Sequence, residues 1–135
     1  MAGSIAATRL SANTTSGFSI VKYVGTGANA TVAHGLASAP TLVIVKDLDT
    51  GGTSWITGSK YVHSDFQGYI ELNDTGTGAN SATVFQDTPP DASVFSIGSH
   101  THTNDSGDEI IAYCFAPIEG YSKVGSYTGN GNADG

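Results

Sequence analysis

His100-Thr101-His102 is the stretch whose residue types and spacing point most directly to chemistry. Alternate residues of an extended chain share a face, so the two imidazoles would stand together, with Asp105 and Asp108 a few residues on. Nitrogen and carboxylate donors so placed can hold a transition metal, and copies around a symmetry axis would multiply the nitrogens. A closed metal centre needs a further spaced ligand, and the sequence offers none. A polar loop with two histidines is therefore the favoured reading, and His100 and His102 are weak metal candidates.

Asp47, Asp49, Asp74, Asp87, Asp91, Asp105 and Asp108 all fall in expected loops. Aspartate is a common turn residue, and no stretch has the alternating carboxylates and closing glutamate of a calcium loop. Calcium or a transition metal is compatible with these residues without being predicted by them, and no cofactor is expected.

Glycoside hydrolysis would need two carboxyl groups about 5–9 Å apart, and Glu71 with Glu109 or Asp108 are the pairs on offer. Glu71 lies between Ile70 and Leu72, an alternation that puts it on a wet face. No nucleophile elbow, phosphate loop or Cys/His zinc pattern is present. His34, followed by Gly35 and without a partner nearby in sequence, reads as structural. Cys114, inside an apolar run, reads as a small buried hydrophobe. The expectation is a protein that binds and does not catalyse. Tyr23, Trp55, Tyr61, Phe66 and Tyr69 could build a sugar-stacking platform or fill the core. Trp55 is expected in the core and Tyr61 stays open; these two are the candidate ligand-surface residues.

The elements that must position these groups are strands. The chain has 135 residues, about one domain, with 13% charged residues and 18 glycines. That mixture suits short strands and tight turns and disfavours long amphipathic helices. Five basic against twelve acidic residues give a net charge of −7. With no Lys/Arg cluster, such a surface repels nucleic acid and anionic membrane. No run approaches the roughly 20 apolar residues of a spanning helix, and the N-terminus lacks a secretion signal. A soluble protein made in a cytoplasm is expected.

Apolar runs at 18–24, 30–33, 41–46, 54–57, 68–72, 82–85, 93–97 and 110–116, with turn residues between them, predict about eight strands in an antiparallel sandwich. The last, Ile110 to Ala116, is the longest and should be a central strand buried on both faces. Ile111, Tyr113 and Phe115 should meet Leu42, Ile44, Phe95 and Ile97 in the core. Residues 1–16 are small, polar and aperiodic, an arm or linker that orders only against something else. Residues 17–119 form the sandwich module. Residues 120–135 echo its opening: Gly120-Tyr121-Ser122-Lys123-Val124 parallels Gly17-Phe18-Ser19-Ile20-Val21, and Tyr127-Thr128-Gly129-Asn130-Gly131 parallels Tyr23-Val24-Gly25-Thr26-Gly27. This tail reads as the first strand and turn of a following repeat or as an assembly tail, with Tyr121 well packed and residues past Gly129 increasingly exposed.

Six blocks in order carry a family resemblance: His34-Gly35-Leu36 to Lys46; Trp55; Gly68 to Asn73; Ser93 to Gly98; Ile111 to Ala116; and Gly120 to Gly131. Together they resemble a repeated module of tailed-phage virion proteins, especially those of aquatic phages, over residues 17–135. The His100-Thr101-His102 pair is outside that pattern. The resemblance implies a concanavalin-like, laminin-G-like jelly roll in a tail fibre, baseplate appendage or capsid decoration. It further implies location in the virion and partners among other virion proteins and copies of itself, a trimer being one arrangement. A lectin-like module binding host-surface glycan is the alternative, and a glycan depolymerase ranks below it.

Overall fold

A computed structural model describes residues 3–133. The chain is an all-β antiparallel sandwich. Its strands are β1 (Arg9–Asn13), β2 (Phe18–Val24), β3 (Ala30–Ala33), β4 (Leu42–Asp47), β5 (Ile56–Ser59), β6 (Gly68–Glu71), β7 (Ala79–Asn80), β8 (Val94–Ile97) and β9 (Glu109–Phe115). One sheet runs β1-β2-β9-β4-β5-β6-β7, and β3 pairs with β8 in the second. Three single helical turns, α1 (His63–Phe66), α2 (Ala82–Phe85) and α3 (Thr101–Asn104), sit in the connections. Among the described residues no helix is long and apolar enough to cross a membrane.

The central strand is where the sequence puts it, with β9 between β2 and β4. Its faces differ from the expectation. Ile110, Ala112, Cys114 and Ala116 are fully buried, while Ile111, Tyr113 and Phe115 are only half-buried. In β4 the buried pair is Val43 and Val45, and Leu42 and Ile44 point the other way. The physical reason is space. Small side chains on β9 let the second layer approach, and Phe95 and Ile97 of β8 fill the gap as expected. Tyr23 of β2 meets Phe95 edge-on across the two layers, ring centroids 6.3 Å apart.

Two further segments depart from the sequence reading. Residues 82–85, expected as a strand, form α2, which buries both Val84 and Phe85. A strand would send these neighbours to opposite faces; the turn sends both into the core, where Phe85 packs edge-on against Phe66. Gln86 follows in the left-handed region, and its Nε2 donates to the carbonyls of Ala30 and Ile97. The stretch expected as an arm orders against the module itself: β1 pairs along β2, and Ile5 is in the core beside Val32. At the other end no residue after Ala116 is buried among those described, and Tyr121, expected to be well packed, is 72% exposed. The outermost residues of arm and tail, 1–2 and 134–135, lie outside the described residues.

Candidate functional site

Strand register sorts the middle of the large sheet into two faces. On the inner face, Ser19, Cys114 and Val43 form one cross-strand row, Val21, Ala112 and Val45 the next, and Tyr23, Ile110 and Asp47 the third. All nine are buried. Burial pushes the Cys114 thiol up to about 12, which suits a packing role.

The outer face repeats this geometry with different chemistry. Its rows are Phe18, Phe115 and Leu42; Ile20, Tyr113 and Ile44; and Lys22, Ile111 and Lys46. Every one of these side chains is half-buried. The rings of Phe18 and Phe115 are 4.9 Å apart, and Trp55 stacks on Tyr113 at 6.3 Å. An antiparallel sheet with one face in water normally alternates apolar and polar residues. Here the outward positions are phenylalanine, isoleucine, leucine and tyrosine, edged by Ser11, Asn13, Lys22 and Lys46. An apolar centre with a polar rim is the composition of an interaction surface.

The histidine pair lies elsewhere, at α3. The backbone is not extended there. His100 caps the turn, its Nδ1 accepting the His102 amide at 3.2 Å, and the two rings meet edge-on at 5.0 Å. His102 Nδ1 accepts the Ser54 amide at 3.4 Å. Burial and the neighbouring His102 lower the His100 pKa. Both Nδ1 atoms are thus engaged with the backbone, and Tyr69 lies against His100. Beside them, Ser54 Oγ donates to Glu71 at 2.5 Å.

A family model described as a domain of unknown function, DUF7483, matches residues 1–135. The chain belongs to this family. No curated protein and no solved structure matches it.

In this DUF7483 domain the other sequence candidates fall as follows. Trp55, expected in the core, is 38% exposed and belongs to the outer face; Tyr61 is 44% exposed, while Tyr23 and Phe66 are core. Glu71 is held by Ser54, Glu109 pairs with Lys22 at 2.5 Å, and Asp108 accepts from Thr50. His34 is fully buried, with Nδ1 accepting the Leu36 amide and Nε2 3.0 Å from the Asp91 carbonyl. Asp47, Asp105 and Asp108, scattered in sequence, converge at one end of the sandwich. Sequence reasoning missed the outer face because it assigned those residues to the core. The signal was present, since both alternation sets of β9 are apolar.

Proposed function

We propose that this domain is a structural module of a phage virion, in a tail fibre, baseplate appendage or capsid decoration, and that it works by assembly and not by catalysis. The apolar block on the outer sheet face carries the reading. Those side chains leave water when a neighbouring copy or virion protein covers them, at roughly 25 cal/mol per Å² of apolar surface removed. The six sequence blocks that resemble tailed-phage modules supply the virion context. The exposed tail, with Tyr121 at 72% and Tyr127 at 93% exposure, adds apolar groups that a neighbour can take up. Homo-oligomers with closed symmetry are the commonest solution for such a surface.

A second reading, a lectin-like module for host-surface glycan, draws on exposed Trp55 and Tyr61, since aromatic faces stack on sugars. Light scattering of the purified chain tests the first reading, which expects a multimer at micromolar concentration; a monomer there, together with isolated copies in the virion, sinks it. Specific binding on a glycan array by the monomer would favour the second.

A further inference from the structure

Asp47 is the one carboxylate buried within the sandwich among the described residues, at 1% exposure. It closes the inner row of Tyr23 and Ile110, where an uncompensated charge is costly. Its Oδ1 accepts the amides of Asp49 at 2.9 Å and Thr50 at 3.0 Å. Its Oδ2 is buried and has no hydrogen-bond partner. Asp105 and Asp108 each bring a carboxylate oxygen to Asp47, and the three oxygens lie within 4.8 Å of one another.

Oxygens bound to one calcium ion at about 2.3–2.6 Å can be at most about 5 Å apart, so this spacing fits a shared ion. No basic side chain among the described residues forms an ion pair with the three carboxylates. The one ion pair among the described residues is Lys22 with Glu109, and Lys46 Nζ is bonded to the Asp47 carbonyl and to Thr53 Oγ1. We propose that Asp47, Asp105 and Asp108 hold a calcium ion that ties the β4–β5 loop to the β8–β9 connection.

The two loops are already locked together around the carboxylates. Leu48 N donates to the Glu109 carbonyl, Glu109 N to Asp49 Oδ2, and Thr50 Oγ1 to Asp108 Oδ2. On the far side, Gly25 N donates to the Asp108 carbonyl, and a Cβ at Gly25 would clash with the Asp105 carbonyl oxygen. The ligands are held by backbone on both sides, so little ordering is left for the ion to impose. An all-oxygen set selects a hard cation. Calcium accepts an irregular shell of six to eight oxygens, whereas magnesium demands a near-ideal octahedron and keeps its waters. Carbonyls or waters complete the shell. This inference is independent of what covers the outer sheet face.

The test uses the full chain stripped with chelator, then titrated with calcium chloride in a calorimeter and melted with and without the ion, with magnesium chloride as control. The expected result is one ion per chain, a melting temperature raised by several degrees at millimolar calcium, and a far smaller rise with magnesium. Asp105→Asn and Asp108→Asn, at half-buried positions, should stay folded by circular dichroism and lose the calcium-dependent rise. Asp47→Asn should lose it too while melting no lower than the stripped wild type, because it removes a buried charge. No heat and no shift at millimolar calcium would overturn the proposal. A rise that survives in the Asp105→Asn, Asp108→Asn double variant, or an equal rise with magnesium, would overturn it as well.

Discussion

Trp55 lies over Tyr113 on the outer face of the large sheet, ring centroids 6.3 Å apart and planes 25° from parallel. Tyr113 is the middle of the outer block, between Ile20 on β2 and Ile44 on β4. The stack therefore places two large rings at the centre of an apolar surface, where binding energy concentrates in interfaces.

A charge at that centre should break assembly and spare the fold. Tyr113→Glu is expected to shift the protein to monomer in sedimentation velocity under conditions where the wild type associates. Its melting temperature should fall less than that of a core variant, because Tyr113 is already half-exposed.

The core assignment makes a contrast. Phe95 is 1% exposed between the layers and Phe115 is half-buried on the outer face. Phe95→Ala should cost about 3–5 kcal/mol in denaturant unfolding, as full truncation of a buried ring does, and Phe115→Ala clearly less. Equal costs would return Phe115 to the core.

That contrast marks how far the sequence was legible. The run from Ile110 to Ala116, bounded by turn residues, identifies the central strand, but the phase of its alternation is hidden because both sets are apolar. Size suggests Ile111, Tyr113 and Phe115 as inward, and the fold instead turns Ala112, Cys114 and Ala116 to the second layer. Leu42 and Ile44 mislead in the same way beside Val43 and Val45. The polar strand β1 gives no periodic signal, since all five of its residues are exposed at the sheet edge. The aspartate cluster was illegible for a different reason. The pairing of Asp47 with Ile110, invisible in the sequence, brings residues so distant along the chain together.

Asn104 is buried and makes three bonds, donating to the carbonyls of Ala28 and Gly98 and accepting from the Thr26 amide. Asn104→Ala removes all three bonds and takes from the buried Gly98 carbonyl its side-chain partner. At about 1–3 kcal/mol for such a group, the loss should appear as a large drop in the denaturant midpoint with faster amide exchange in residues 25–28.

Stability should also depend on His34. An amide donating to Nδ1 and a carbonyl at Nε2 suit the neutral ring, and burial, the largest cause, lowers its pKa from the ordinary 6.5. Below about pH 6.5 the unfolded chain takes up the proton and the folded chain does not. The stabilising contribution is therefore complete above that pH and is lost as pH falls toward the folded value. His100, lowered by burial and by His102, acts with the same sign. Melting temperatures from about pH 8 to about pH 5 should fall, and His34→Gln should flatten the decline; a His34 resonance titrating at or above the ordinary value would refute the assignment.

Removing the tail after Gly120 should leave the sandwich folded by circular dichroism, because no described residue beyond that point is buried. The same truncation should weaken association, since it deletes Tyr121, which lies beside Phe18 and Phe115 at the edge of the outer block. Loss of folding would make the tail an integral part of the module.

The most direct test of the proposed assembly role is to look for this chain in reconstructed phage particles. The sandwich should be found in an appendage or on the capsid, with Phe18, Tyr113, Ile44 and Trp55 covered by a neighbouring subunit. A particle that lacks the chain, or one in which that face is bare to solvent in every copy, would contradict the account.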